Sequence, residues 1–313
     1  MSAIFNIVLP LFALIGVGFA VGRTRLFSAA ALAGLNIFVF YVALPVMVFF
    51  ALAGSPLREL FDWRLVVDYE AASLLTFAIA FGLARIAFRN PTGERAVAGA
   101  TSNFSNIGYL GLPLLTFTLG PEAAVPGALI LLFDNVIVLS LTTALLEGSL
   151  ARHGSAAAIA RRLAIGFAQN PLMVALAGGA AWGLIALPIP TPMAGFGALL
   201  GGAAGPCALF ALGATLARHP VTAGAREVGL MVTLKLIAMP AMALVMTTWM
   251  LPLEPIWRAT AIIAAALPTG ANVFVLATQY GVFVQRASSA ILASTALSVV
   301  TVSTILAFLT GTP

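Results

Sequence analysis

The chain has 313 residues, of which 61% are hydrophobic and only 8% charged, with a mean hydropathy of +1.09. Those values lie outside the range of soluble globular domains and inside that of polytopic membrane proteins. The net charge of +5 and pI of 10.1 do not point to nucleic acid, because the basic residues stand singly between apolar stretches without interleaved aromatics.

At about 20 apolar residues per bilayer crossing, the sequence predicts ten spans, at about 3–22, 32–53, 65–88, 95–118, 124–146, 168–187, 193–217, 227–250, 257–281 and 287–310. The first carries no basic residue ahead of its apolar run, and Arg23 and Arg25 follow it, so it reads as a retained span and not a cleaved signal. Between the spans the charges alternate. Arg23, Arg25, Arg85, Arg89, Arg95, Arg152, Arg161, Arg162, Arg218, Arg226 and Arg286 fall on one side, and Arg58, Arg64 and Arg258 on the other. The positive-inside rule places both termini outside the cytoplasm. Asp68 and Glu70 read as interfacial residues near the outer end of the third span.

The fourth span contains Ser102-Asn103-Phe104-Ser105-Asn106-Ile107-Gly108-Tyr109-Leu110-Gly111-Leu112-Pro113, a poor membrane helix. Pro113 removes a donor and crowds the preceding turn, the glycines weaken helical preference, and the side-chain amides can bond freed backbone groups. Broken backbone at membrane depth is tolerated where protein buries it or a watery cavity meets it, which marks a candidate binding site. The fifth span carries Asp134. The connection at about 148–166 is short and basic and reads as a cytoplasmic linker, with His153, like His219 further on, as a solvated surface residue without a metal role. The seventh span holds Cys207, which as a lone cysteine forms no intrachain disulfide and reads as a packing residue. The eighth carries Lys235, the sole lysine; that scarcity, with the abundance of Ala and Gly, is a composition of GC-rich bacterial genomes. In the ninth, Leu267-Pro268-Thr269-Gly270-Ala271-Asn272 is a second interruption.

A shift of 161 residues lays Pro10 on Pro171, Gly18 on Gly179, Gly22 on Gly183, Pro45 on Pro206 and Phe49 on Phe210. Two five-span halves, 1–155 and 156–313, follow, and an odd number of spans inverts the second half relative to the first.

Taken together, Asn103-x-x-Asn106-x-Gly108-x-x-Gly111-x-Pro113, Phe133-Asp134-Asn135, Lys235 with Pro240, and Pro268-x-x-x-Asn272 resemble the auxin efflux carrier family, including its bacterial members. The likeness covers nearly the whole chain. It implies an all-α polytopic membrane protein of ten transmembrane helices in two inverted repeats, related to plant PIN carriers and more distantly to bile-acid sodium symporters. Spans 1, 2, 6 and 7 would form a scaffold, and spans 3–5 and 8–10 a transport domain in which broken helices 4 and 9 cross. The implied function is alternating-access, elevator-type transport of a small organic anion such as malonate, malate or an auxin-like acid. The resemblance further implies a homodimer, and the expected place is a bacterial inner membrane. The long hydrophilic central loop of the long plant carriers is absent.

In that reading Asn106 and Asn272 donate amide hydrogens to a carboxylate, Ser105 and Thr269 donate or accept, and Asn103, Gly108, Pro268 and Gly270 complete the substrate-binding set. The plainer role for the polar groups is to satisfy open backbone, and for the glycines close helix packing. Asp134 and Lys235 form an ion pair, or Asp134 couples transport to a proton or ion, or Lys235 touches substrate. No cofactor, metal or nucleic acid is expected. An enzyme is disfavoured by the lack of H-E-x-x-H, G-x-S-x-G and Walker motifs. A sodium-coupled symporter and a passive anion channel are the alternatives to a carrier of the first kind. Sodium wants carboxylate ligands, and the two interrupted motifs contain none.

Overall fold

The computed structural model describes residues 2–25, 27–55, 62–149, 161, 164–166, 168–218 and 224–310. Arg58, Arg152, Arg162, both histidines, the two chain ends and most of the central connection, with the 155/156 boundary, lie outside the described residues.

Among the described residues the chain is helical throughout, apart from turns and one isolated antiparallel bridge between Ser105 and Thr269. In order the helices are α1 (Ser2–Gly22), α2 (Ala29–Ala53), α3 (Trp63–Ile86), α4 (Thr92–Asn103), α5 (Ile107–Leu119) and α6 (Pro121–Ser149). The second half holds α7 (Pro171–Ile185), α8 (Thr191–Thr215), α9 (Ala225–Met250), α10 (Pro255–Ala266), α11 (Ala271–Tyr280) and α12 (Val284–Thr310). Six of them, α2, α3, α6, α8, α9 and α12, are long and apolar enough to cross a membrane, while α5, α7, α10 and the Ala13–Gly22 part of α1 are shorter apolar helices.

The polarity of the packing is that of a membrane protein. Large apolar side chains such as Leu199 (83% exposed), Trp249 (74%) and Phe308 (71%) point outward, while Asp68, Ser73, Thr101, Ser102 and Asn103 are fully buried. Without water, backbone and hydroxyl groups must find partners internally. Thr76, Thr101, Ser102 and Thr142 accordingly donate to the carbonyls four residues earlier, at 2.7–2.9 Å. Asp68 and Glu70, in the second turn of α3, are buried within the protein.

Three prolines inside helices are absorbed by a local change of backbone. Wide π turns at Val39–Ala43, Ile107–Gly111 and Leu234–Ala238 each end two residues before a proline, Pro45, Pro113 and Pro240. Proline removes an N–H and crowds the carbonyl four residues back, and a local i→i+5 turn relieves both faults. The fourth span therefore does not open at Pro113, which lies inside α5; it opens at Phe104–Asn106, where Phe104 turns extended with φ −66° and ψ 116°.

The chain divides into two compact units: residues 1–62, 108–132 and 164–218 in the first, and 63–107, 133–163 and 219–313 in the second. In the first unit α1 packs on the latter part of α8, and α7 on the latter part of α2. Glycine permits both approaches. A Cβ on Gly18 would overlap the Phe210 carbonyl, and one on Gly179 would lie 2.6 Å from the Phe49 carbonyl oxygen. Gly18 and Gly179, like Phe49 and Phe210, are 161 residues apart, so the two contacts are counterparts with the partners exchanged. The first unit also bears an open apolar pocket of about 850 Å³ lined by Met47, Phe50, Pro113, Phe117 and Gly201 among others.

In the second unit α3 and α4 pack closely, with the Phe77 ring against Gly99, where a Cβ would come within 2.8 Å. Ala96–Asn103 of α4 and Thr260–Ala266 of α10 are buried residue by residue. Their small side chains let neighbouring backbones approach, and these two helices lead into the chain breaks.

Candidate functional site

Both breaks lie in the second unit and bond to each other. α4 ends at Asn103 and α10 at Ala266, and the extended residues that follow run antiparallel. The Asn106 N–H donates to the Pro268 carbonyl and the Gly270 N–H to the Phe104 carbonyl, both at 2.9 Å. Ser105 and Thr269 are thus the facing pair between two reciprocal hydrogen bonds. Gly270 is required by the approach: a Cβ there would lie 2.8 Å from the Phe104 ring and 3.0 Å from the Ser105 carbonyl oxygen.

Side chains from four other helices close around this bridge. From α9, the fully buried Lys235 ammonium donates to Ser105 Oγ at 2.9 Å and to the Ala265 carbonyl at 2.6 Å. That carbonyl belongs to the last turn of α10, where the helix dipole and the unpaired carbonyls favour a cation. From α3, Tyr69 Oη lies 3.0 Å from Ser105 Oγ, and Ser73 Oγ donates to Asp134 Oδ1 at 3.4 Å. Asn103 Nδ2 donates to both the Ser73 carbonyl (3.1 Å) and Ser73 Oγ (2.8 Å). From α12, Ser294 Oγ accepts the Thr269 N–H at 3.1 Å, while Thr269 Oγ1 donates to the Thr101 carbonyl at 2.7 Å.

The expected site residues divide accordingly. Asn103, Ser105, Asn106, Pro268, Thr269 and Gly270 come together at the bridge, with Lys235 on Ser105 and Asp134 reached through Ser73. Asp134 and Lys235 are both buried, and among the described residues neither is the other's direct hydrogen-bond or ion-pair partner. Asn272 lies in the first turn of α11, where its Nδ2 donates to Asn135 Oδ1 at 3.2 Å. Gly108 falls in the first unit, where a Cβ would meet Leu172 and Leu131 only at ordinary contact distances of 3.6 and 3.9 Å, so no close approach requires the glycine.

The hydroxyls of Ser105 and Thr269 are committed to protein partners. Asn106 differs: it is 4% exposed, and among the described residues its Nδ2 has no hydrogen-bond partner. A buried amide donor without an acceptor is costly, so Asn106 Nδ2 calls for an acceptor such as water or a ligand. Unpartnered oxygens also occur in this unit, at Glu70 Oε1 and Oε2, Asp134 Oδ2 and Asn103 Oδ1. Among the described residues no cluster of three or more His, Cys, Asp or Glu is placed to hold a metal ion.

Sequence reasoning gave no role to Tyr69, Ser73 or Ser294, hydroxyls in helices rich in Ser, Thr and Ala, where nothing in the spacing separates a site residue from a packing residue. Asn135 stood in view beside Asp134 without a function; an amide next to an ionisable residue at membrane depth was the available signal.

Residues 3–306 match the model of a family described as membrane transport protein. The chain is similar to a protein of Rhizobium meliloti (strain 1021) named "Putative malonate transporter", with 34% identity over 281 residues that cover 90% of this chain and 88% of that one.

Proposed function

Because the chain belongs to this membrane transport protein family, the auxin efflux carrier family, we propose that it is a secondary transporter of a small organic anion, bound where the two chain breaks meet. The observation that carries this is the buried, unpartnered Nδ2 of Asn106 beside a bridge that also holds the Lys235 ammonium. An amide donor and a nearby cation are what a carboxylate accepts. Asn103, Ser105, Pro268, Thr269 and Gly270 shape the site, and Asn135 holds Asn272 in reach of a second carboxylate. Malonate, the substrate in the relative's name, is a small dicarboxylate of suitable chemistry.

The wider architecture of this proposal is ten crossings in two inverted repeats, working by alternating access of the elevator type. The exchanged Gly18–Phe210 and Gly179–Phe49 contacts support the repeats. Spans 1, 2, 6 and 7 fall in one unit, which supports their scaffold role. We place the protein in a bacterial inner membrane as a homodimer with both termini outside, and the arginine bias supports that orientation. A cysteine added before Ser2 is expected to react with an impermeant maleimide on intact cells; reaction only after permeabilisation would reverse the orientation.

Cation coupling is the second reading, favoured by the unpartnered oxygens of Glu70 and Asp134. One experiment addresses both: purified protein in liposomes, offered labelled malonate, other dicarboxylates, aromatic acids and amino acids under imposed sodium, pH and voltage gradients. Saturable uptake of a carboxylate, accelerated by the same anion inside, is the expected result. Flux that rises linearly without such acceleration means a channel, and no carboxylate flux under any gradient overturns the proposal. Dependence on the sodium or pH gradient identifies the coupling ion.

A further inference from the structure

At the opposite ends of the helices that build the bridge lies a charged cluster that the transport reading leaves unused. The Arg286 guanidinium reaches Glu227 Oε2 at 2.7 Å and Glu94 Oε2 at 3.0 Å, and lies over the Phe283 ring at 4.4 Å. Asn90 Nδ2 donates to the other oxygen of Glu227. Phe283 holds φ 60°, and at Gly224, with φ 67°, a Cβ would crowd the Arg286 stem at 3.1 Å. Glu94 is in the first turn of α4, Glu227 in the first turn of α9, and Arg286 in the first turn of α12.

Each of these helices holds one side chain at or beside the bridge, at nearly the same distance along its axis. Lys235 bonds Ser105 and Ser294 bonds Thr269, while Asn103, bonded to Ser73 of α3, is the residue from which α4 passes into the bridge. Lys235 is eight residues beyond Glu227, Ser294 eight beyond Arg286, and Asn103 nine beyond Glu94. At about 1.5 Å per residue all three contacts sit roughly 12–14 Å from the cluster. A helix is stiff along its axis, so pinning three starting turns to one guanidinium pins the heights of three side chains. Those side chains make bonds of 2.6–3.1 Å, which a slide of about 1 Å would break.

We propose that Arg286 is a positioning residue for the bridge: its clamp on Glu94 and Glu227 sets the register in which α4, α9 and α12 present Asn103, Lys235 and Ser294. An isolated exposed ion pair contributes little, but this guanidinium joins carboxylates of two different helices, one of them only 7% exposed, in the fork geometry that arginine supplies and lysine does not. The consequence for substrate affinity rests on the transport reading; the consequence for the backbone bridge does not.

The test compares the full-length parent with Arg286→Ala and Arg286→Lys by hydrogen–deuterium exchange and by malonate binding, well below the unfolding temperature. In Arg286→Ala, segments 104–107 and 267–272, which hold the bonded Asn106 and Gly270 amides, are expected to exchange at least ten times faster. Malonate affinity is expected to fall about tenfold, Arg286→Lys to be intermediate, and segments of the first unit to keep the parental rate. Lower thermal stability with parental exchange at both breaks and parental affinity would overturn the proposal, leaving Arg286 as a stabilising residue. If Arg286→Ala does not fold, Glu94→Gln, which removes one arm of the clamp, is expected to give the same local acceleration, and parental exchange there overturns the proposal equally. Failure of the parent to bind malonate counts against the substrate reading, while the exchange rates still decide the clamp.

Discussion

Asn106→Ala is expected to weaken substrate binding about 10- to 150-fold while the protein still folds. Among the described residues the side-chain amide has no partner, whereas the backbone N–H of the same residue bonds Pro268 at 2.9 Å and survives the substitution. In the proposed site, truncation therefore removes a donor to the anion and leaves the backbone bonds of the bridge in place. A hydrogen bond to a charged group contributes about 1.5–3 kcal/mol, and about 1.4 kcal/mol is a factor of ten in affinity. Asn106→Asp should bind more weakly still, since it sets a carboxylate against the incoming anion in a unit that already buries Asp68, Glu70 and Asp134. Titration calorimetry on purified protein, with the carboxylate that liposome uptake identifies, measures both. Parental affinity in both variants would move the anion away from Asn106.

The contrast between Asn106 and its neighbours shows what the sequence carried and what it withheld. Two interruptions in apolar stretches were legible because Asn, Gly and Pro are poor lipid-facing residues, and both became breaks where helices end. The cause assigned to the first was misplaced: Pro113 is absorbed by a π turn, and the chain opens seven to nine residues earlier, at Phe104–Asn106. Proline's defect is local and admits more than one remedy, so spacing alone cannot choose among a kink, a wide turn and a break. Tertiary pairing was hidden for a different reason. Thr269 and Ser105 were equally plausible ligands in the sequence, yet their hydroxyls meet Thr101 and Lys235, residues 168 and 130 positions away. Asp68 and Glu70 read as interfacial because they sit near the start of a span, and depth in a packed unit depends on which face of the helix meets its neighbours.

Lys235 bears the largest expected effect on stability. α4 and α10 both end at the bridge, so two helix C-termini, each the negative end of a dipole, converge there with the Asp134 carboxylate close by. The only lysine of the chain sits among them, fully buried, on Ser105 and on the last turn of α10. Lys235→Met keeps the length and apolar stem of the side chain, removes the cation, and leaves the negative groups uncompensated. Breaking a buried charge arrangement by removing one partner costs about 3–5 kcal/mol, whereas removing both charges together is often nearly neutral. The single variant is therefore expected to lose folded yield and unfold at markedly lower temperature, and Lys235→Met with Asp134→Asn to recover much of that loss. Size-exclusion profiles and thermal unfolding in detergent measure both effects. A single variant as stable as the parent would show that the ammonium is not the counter-charge of the bridge. A double variant no better than the single would show that Asp134 is not the charge it balances.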